Sequence, residues 1–430
     1  MRVYKHIVTI VLCTLSLCTL SAEVNFRGAW IATVANIDWP TPEAVGDTEL
    51  QQQEMVFLLD SLSSIGINAI IFQVRPTADA LYRSEYEPVS HWLMGKQYFP
   101  NSQDSTHNSQ FSILNSPLPW DPLEWTIEQA HARHMEVHVW LNPYRVNLAK
   151  TDTSEICAEH VWRQHPEWFW EYNKQWYFNP GLDVTREWIC TIVQDIVTRY
   201  DVQAIHMDDY FYPYPAGKQQ LPDTTTFAEN PRGFENIHDW RRNNVNLAIQ
   251  DIRNTIKECK PEVQFGISPF GVWRNASVDP TGSQTRAGIT NYDDLYADIR
   301  LWIKNGWIDY VLPQLYWEIG KKVADYEILA NWWASEVRGT DCKLYIGMAP
   351  YRLEEANARA KANAWNTGNE IGRQMQLNRT IPEITGECFY STRPLLRNPR
   401  GVCDTIKAFY APSPTIPTPE DEEEPVLPWE

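Results

Sequence analysis

The pattern that most limits this chain is an alternation of short apolar, β-prone runs with helical stretches. The runs lie at Arg27–Thr33, Ala69–Val74, Glu136–Leu141, Ala204–Asp208, Gln264–Ser268, Tyr310–Leu315, Leu344–Ala349 and Glu387–Tyr390. Helical patterns separate most of them, at Glu49–Ile65, Pro122–His134, Arg186–Tyr200, Trp240–Glu258, Tyr292–Asn305 and Leu353–Gln376. Strands joined through helices run parallel, and eight such units close most simply into a (β/α)8 barrel, the TIM-barrel fold. A doubly wound open sheet is the alternative. No Gly-x-Gly-x-x-Gly follows the first run, which weakens it.

Two insertions break the regularity, Pro88–Trp120 after strand two and Leu148–Val184 after strand three. The second carries Trp162, Trp168, Trp170, Trp176 and Tyr177. Both follow strand C-termini, the face on which barrels of this kind build their sites. Residues 1–22 read as an export signal, with a basic start, an apolar Ile7–Leu20 core and a small residue, Ala22, at the cut. That core is too short to span a bilayer comfortably, and nothing later looks transmembrane. Leu17 before Cys18 argues against a lipid anchor. The barrel is expected over 23–408, followed by an acidic Pro/Thr-rich tail at 409–430 with the composition of a disordered segment.

The chain's net charge is −18 and it has no long Lys/Arg run, which excludes nucleic acid as a natural partner. The 20 Trp and 20 Tyr suggest a wide aromatic cleft, although most are expected to pack in the core. Six cysteines remain beyond the signal, with no Cys-x-x-Cys pair, so a zinc cluster is not expected. Cys388 and Cys403 are the nearest candidates for a disulfide. The histidines, including His134, His138 and His206, show no metal-ligand pattern, and no cofactor is implied.

Chemistry concentrates at Ala204-Ile-His-Met-Asp-Asp-Tyr-Phe-Tyr-Pro-Tyr-Pro215. An apolar strand there ends in two carboxylates, which are costly to bury unless paired or used, followed at once by aromatic rings suited to stacking on sugars. Adjacent residues of a regular strand point to opposite sides, so only one of Asp208 and Asp209 can easily face the barrel axis. Other strand ends contribute Asp38 and Trp39; Gln73, Arg75 and Asp79; Asn142, Tyr144 and Arg145; Ser268, Trp273 and Arg274; Gln314, Tyr316, Trp317 and Glu318; and Tyr351 and Arg352. Acids among Arg75, Arg145 and Arg352 suit a polyhydroxylated ligand carrying some negative charge.

Phe26-Arg-Gly-Ala-Trp-Ile-Ala-Thr33, Phe72-Gln-Val-Arg-Pro-Thr-Ala-Asp-Ala-Leu-Tyr82, Ile205-His-Met-Asp-Asp-Tyr-Phe-Tyr-Pro213, Ile267-Ser-Pro-Phe-Gly-Val-Trp273 and Tyr310-Val-Leu-Pro-Gln-Leu-Tyr-Trp317 occur in that order. In these segments, and over roughly Val24 to Ile406, the chain resembles the glycosyl hydrolase-like 10 family of bacterial exported proteins. The resemblance implies a TIM-barrel glycoside hydrolase acting on peptidoglycan glycan strands, notably strands stripped of their peptides. It also implies a periplasmic or cell-envelope location. Another polysaccharide as substrate, or a barrel that only binds glycans, are the alternatives.

On this reading Asp208 or Asp209 is a nucleophile or electrostatic stabiliser, and a second carboxylate donates the proton to the leaving oxygen. Glu318 is the candidate for that donor, with Asp79 as runner-up. Arg75, Asp79, Asn142, Tyr144, Gln314, Tyr316 and Trp317 are expected to position substrate, with Tyr210 and Trp273 stacking on it. A gap of roughly 5–5.5 Å between the working carboxyls would mean a retaining path, and roughly 6.5–9.5 Å an inverting one.

Overall fold

The computed structural model describes residues 25–99, 118–355, 364–367 and 369–411. The expected signal segment, much of the first insertion and the tail beyond Ala411 lie outside the described residues. Eight parallel strands close into a barrel: β1 (Phe26–Ile31), β2 (Ala69–Arg75), β3 (Glu136–Leu141), β6 (Ala204–Met207), β7 (Gln264–Ile267), β8 (Tyr310–Val311), β9 (Lys343–Met348) and β10 (Ile384–Phe389). The remaining strands, β4 (Phe169–Tyr172) and β5 (Gln175–Phe178), form a hairpin in the second insertion, outside the barrel. Asn173 and Lys174 turn it with positive φ at both positions, the backbone a two-residue hairpin needs. The sequence shows this insertion as aromatic but not as paired strands.

Closure joins β1 to β10, with Phe26 opposite Gly386 and Ala29 opposite Phe389. Asp38 clamps the seam by accepting from Ala32 N–H, Ser391 Oγ–H and Arg393 N–H at 2.8 Å each. Outside the barrel, long helices cover the sheet; Asp183–Arg199 packs beside Ile237–Cys259. Asp47 and Asp121 cap the helices Thr48–Ser64 and Pro122–His131 with side-chain acceptors, as the Asp-first pattern at each start requires.

Two helical patterns are shorter than the sequence suggests. The Tyr292–Asn305 stretch becomes helix only at Ile299–Lys304, where Asp298 accepts from Leu301 N–H, and Tyr296 just before it has a φ of 55°. The Leu353–Gln376 stretch is broken: Arg352–Glu355 is helical, Ala364–Thr367 is a 3-10 turn, and a helix restarts at Glu370–Asn378. Asn366 and Asn369, residue types that favour turns, stand at this junction. The last helix, Val402–Tyr410, brings the Tyr410 hydroxyl to Glu387 on β10 at 2.7 Å.

The barrel's interior is filled by rings, and glycine makes the room. A Cβ on Gly266 would lie 1.8 Å from the Tyr310 ring, one on Gly386 2.3 Å from Tyr345, and one on Gly28 2.7 Å from Phe26. Phe26 stacks on Tyr345 with ring centroids 4.2 Å apart, and Tyr310 lies 5.1 Å from Tyr345. Cys388 points into this interior while Cys403 sits on the closing helix with its thiol toward the Leu395 carbonyl. The expected pairing of the two therefore does not form, and the six described cysteines are all free.

Candidate active site

Strand β6 stops at Met207, so Asp208 and Asp209 follow it on backbone that has left the regular pleat. Both consequently line one pocket, against the expectation that only one could. Trp30, Trp140, Tyr210, Tyr214, Ser268, Gln314, Tyr316 and Tyr390 complete its wall. They come from the ends of β1, β3, β6, β7, β8 and β10, the converging mouth the strand pattern implies. The pocket holds about 190 Å³, less than the roughly 300–1,000 Å³ of drug-sized ligand sites. The expected wide cleft is thus a narrow one. Most of the tryptophans sit elsewhere, with Trp39, Trp240, Trp302 and Trp333 wholly buried in the packing.

The two acids differ in their partners. Asp208 accepts from Trp140 Nε1–H at 3.0 Å, from Tyr210 N–H at 3.1 Å and from the Asn142 amide. Asn142 cannot flip, because its Oδ1 accepts from Gln73 Nε2 at 2.7 Å and Arg145 Nη2 at 2.6 Å. Burial raises the Asp208 pKa, while the Arg145 charge and these three donors oppose it. Asp209 is pushed up to about 7, first by burial and then by the Asp208 charge; hydrogen bonds from Tyr214 and Gln314 only partly offset this. Both carboxyls are thus raised, and Asp209, with the Asp208 charge beside it, is the one that holds a proton up to about 7.

Several residues singled out in the sequence stand behind the site instead of in it. Arg75 is fully buried in a two-pronged ion pair with Glu87, at 2.6 and 2.7 Å, and its remaining nitrogen donates to the Asn142 and Pro143 carbonyls. It holds the loop that carries Asn142 and meets neither acid. Asp79 is buried against His91, Thr77 and Gln97; burial raises its pKa, but the His91 interaction and the hydrogen bonds from Ser90 and Thr77 together outweigh this and leave it lowered, unlike a proton donor. Tyr144 is wholly buried. Trp273 packs face to face with Trp332 beneath Arg300, and Trp317 packs edge-on against Phe270 over Gly271. None of these five lines the pocket.

Glu318 is the clearest departure. It pairs with Lys321 at 3.0 Å and accepts from Trp365 Nε1–H at 3.1 Å, outside the pocket wall. Burial raises its pKa, yet the Lys321 hydrogen bond and charge, with the Trp365 hydrogen bond, together outweigh that and leave the carboxyl lowered. Strand β8 has only two regular residues, so counting past its end could not place Glu318. Of the expected set, Asp208, Asp209, Tyr210, Gln314 and Tyr316 reach the pocket, with Asn142 touching Asp208. The sequence offers Ser268 only as a strand end and gives Trp30, Trp140, Tyr214 and Tyr390 no role. For Trp140 a signal existed, because His138, Trp140 and Asn142 share one face of β3 and Asn142 was already a candidate.

The model of the family described as "Glycosyl hydrolase-like 10" matches residues 25–366. The chain belongs to this family. It is 41% identical over 409 residues to glycosyl hydrolase YngK of Bacillus subtilis, covering 95% of this chain and 74% of the relative. It is 38% identical over 387 residues to glycosyl hydrolase DigH of Escherichia coli K12, covering 86% and 84%. In fold it is similar to the glycoside hydrolase domain of PgaB from Bordetella bronchiseptica, with a TM-score of 0.53 at 10% identity over 90% of this chain and 99% of that one. The protein is a glycoside hydrolase, and its barrel mouth carries two neighbouring buried acids.

Proposed function

We propose that this glycoside hydrolase is exported and cleaves glycosidic bonds in bacterial cell-wall glycan, with Asp209 as proton donor and Asp208 as the ionised partner. The split environment of two neighbouring buried acids carries the assignment. Asp208 is surrounded by donors and Arg145, so it suits stabilisation of the positive charge that develops at the sugar's anomeric carbon. Asp209 keeps a proton near neutrality that it can give to the leaving oxygen. Tyr210 lines the mouth, with the Arg145 guanidinium 5.3 Å from its ring centre. The family resemblance supports peptide-free peptidoglycan strands as substrate, and the signal-like residues 1–22 support export with processing near Ala22.

The test is to incubate the protein with peptide-free glycan strands and read new fragments by mass spectrometry. Fragments are expected from wild type and not from Asp209→Asn. Intact strands beside cleavage of another polysaccharide would overturn the substrate. Edman sequencing of the processed protein is expected to start near Glu23, and a lipid-modified Cys18 would overturn the export route.

A further inference from the structure

A single file of hydrogen bonds runs down the barrel from the pocket to its opposite end. Ser268 Oγ, in the pocket wall, lies 2.9 Å from His206 Nε2. His206 Nδ1 lies 2.8 Å from the Tyr310 hydroxyl, which is also 2.9 Å from His138 Nδ1. His138 Nε2 lies 3.2 Å from Glu136 Oε2. Glu136 opens β3 at the far end, where its side chain is 52% exposed, whereas His138 and His206 are fully buried. Gly266 is what allows the Tyr310 ring to stand between the two imidazoles.

The direction of this file has one consistent solution. An ionised carboxylate only accepts, so His138 carries its proton on Nε2 and presents a bare Nδ1. The Tyr310 hydroxyl then donates to His138, leaving its oxygen to accept from His206 Nδ1–H. His206 Nε2 is bare in turn, and the Ser268 hydroxyl donates to it. Both imidazoles are held neutral, foremost by burial, so neither adds a second proton that would spoil the order.

We propose that Glu136 acts through this file as a positioning residue, fixing Ser268 as a hydrogen-bond acceptor toward the pocket. Ser268 then selects a donor on the bound molecule, a sugar hydroxyl or amide N–H, and disfavours a carbonyl or carboxylate at that point. The backbone holds Ser268 for this role, since its N–H donates to the Met207 carbonyl at 2.8 Å and its carbonyl accepts from Gln314 Nε2 at 2.9 Å. Only the selection of a sugar group rests on the proposed function. The order of the protons does not.

The test has two arms. In histidine-labelled full-length protein, nitrogen NMR is expected to show His138 as the Nε2–H tautomer and His206 as Nδ1–H at neutral pH. Glu136→Lys replaces the acceptor with a donor and is expected to convert both to the opposite tautomers. A charged imidazole, the reverse wild-type assignment, or a His206 that ignores Glu136→Lys would each overturn the proposal. In the activity arm, Glu136→Lys is expected to raise KM on peptide-free glycan strands roughly 3- to 10-fold, the scale of one hydrogen bond. The same change in a Ser268→Ala background is expected to have no further effect. Equal KM effects in both backgrounds would overturn the link to Ser268. Intact tautomer switching with no glycan cleavage at all would instead remove the substrate reading and leave the proton order standing.

Discussion

The two ends of the barrel's bore are built from the same kinds of residue and behave oppositely. Toward the N-terminal end, Phe26, Tyr345 and Tyr310 pack against one another in space opened by glycines, and the Tyr310 hydroxyl is met by two histidines. At the C-terminal mouth, Tyr210, Tyr214, Tyr316 and Tyr390 again supply rings, but two carboxylates stand among them and Tyr210 is 39% exposed. Aromatic content therefore does not mark the site. Charge held in a buried place, with room left beside it, does.

The largest effect that would sharpen this contrast is on turnover. Asp209→Asn is expected to lower kcat by about two orders of magnitude or more while glycan affinity survives. Near-normal turnover would break the contrast at its centre. At the closed end the corresponding loss is of stability. Gly266→Ala drives a methyl into the Tyr310 ring and is expected to cost about 1–3 kcal/mol or more in denaturant unfolding.

Next come shifts along the pH axis. Activity should fall as pH rises through about 7, where Asp209 loses its proton. Asp208→Asn removes the neighbouring charge and should move that fall to lower pH in whatever activity remains. Tyr214→Phe removes a hydrogen bond favouring the ionised form and should move it to higher pH. The same acid is a burden on folding. Its folded pKa lies above the ordinary 3.8, so wild type loses stability as pH rises from about 4 through about 7. Asp209→Asn should therefore melt above wild type at pH 8 and beside it at pH 4, and thermal melts at both values decide this. Smallest of all, Glu318→Gln should change kcat less than about twofold, since removing a hydrogen bond to Lys321 outside the pocket costs little. A large loss there would return the proton donor to strand eight's end.

The barrel was legible because short apolar, β-prone runs alternating with helical stretches are local signals, and each of the eight runs became a barrel strand. Asp208 and Asp209 were legible because a strand ending in two acids is rare and costly. What stayed hidden depends on where a strand stops. Losing the pleat after Met207 put both acids on one side, and two regular residues in β8 left Glu318 aimed elsewhere. The misread Arg75 and Asp79 show a second limit. Their partners Glu87 and His91 lie 12 positions further along the chain in each case, and sequence distance does not say which group meets which. Trp30 and Tyr390, 360 positions apart in the sequence, meet edge to face only because β1 pairs with β10.

The glycine-lodged rings have one more consequence. They stop the bore, so the pocket is a dead end with a single doorway. On the proposed function, a polymer is not threaded through the barrel; it lies across the rim and dips one link at a time toward Asp208 and Asp209. Cleaved sugar leaves by the way it came, and the water that finishes the reaction enters by that way too. On that reading, traffic at the rim, where Tyr210 stands, governs both how the strand is gripped and how fast it is let go.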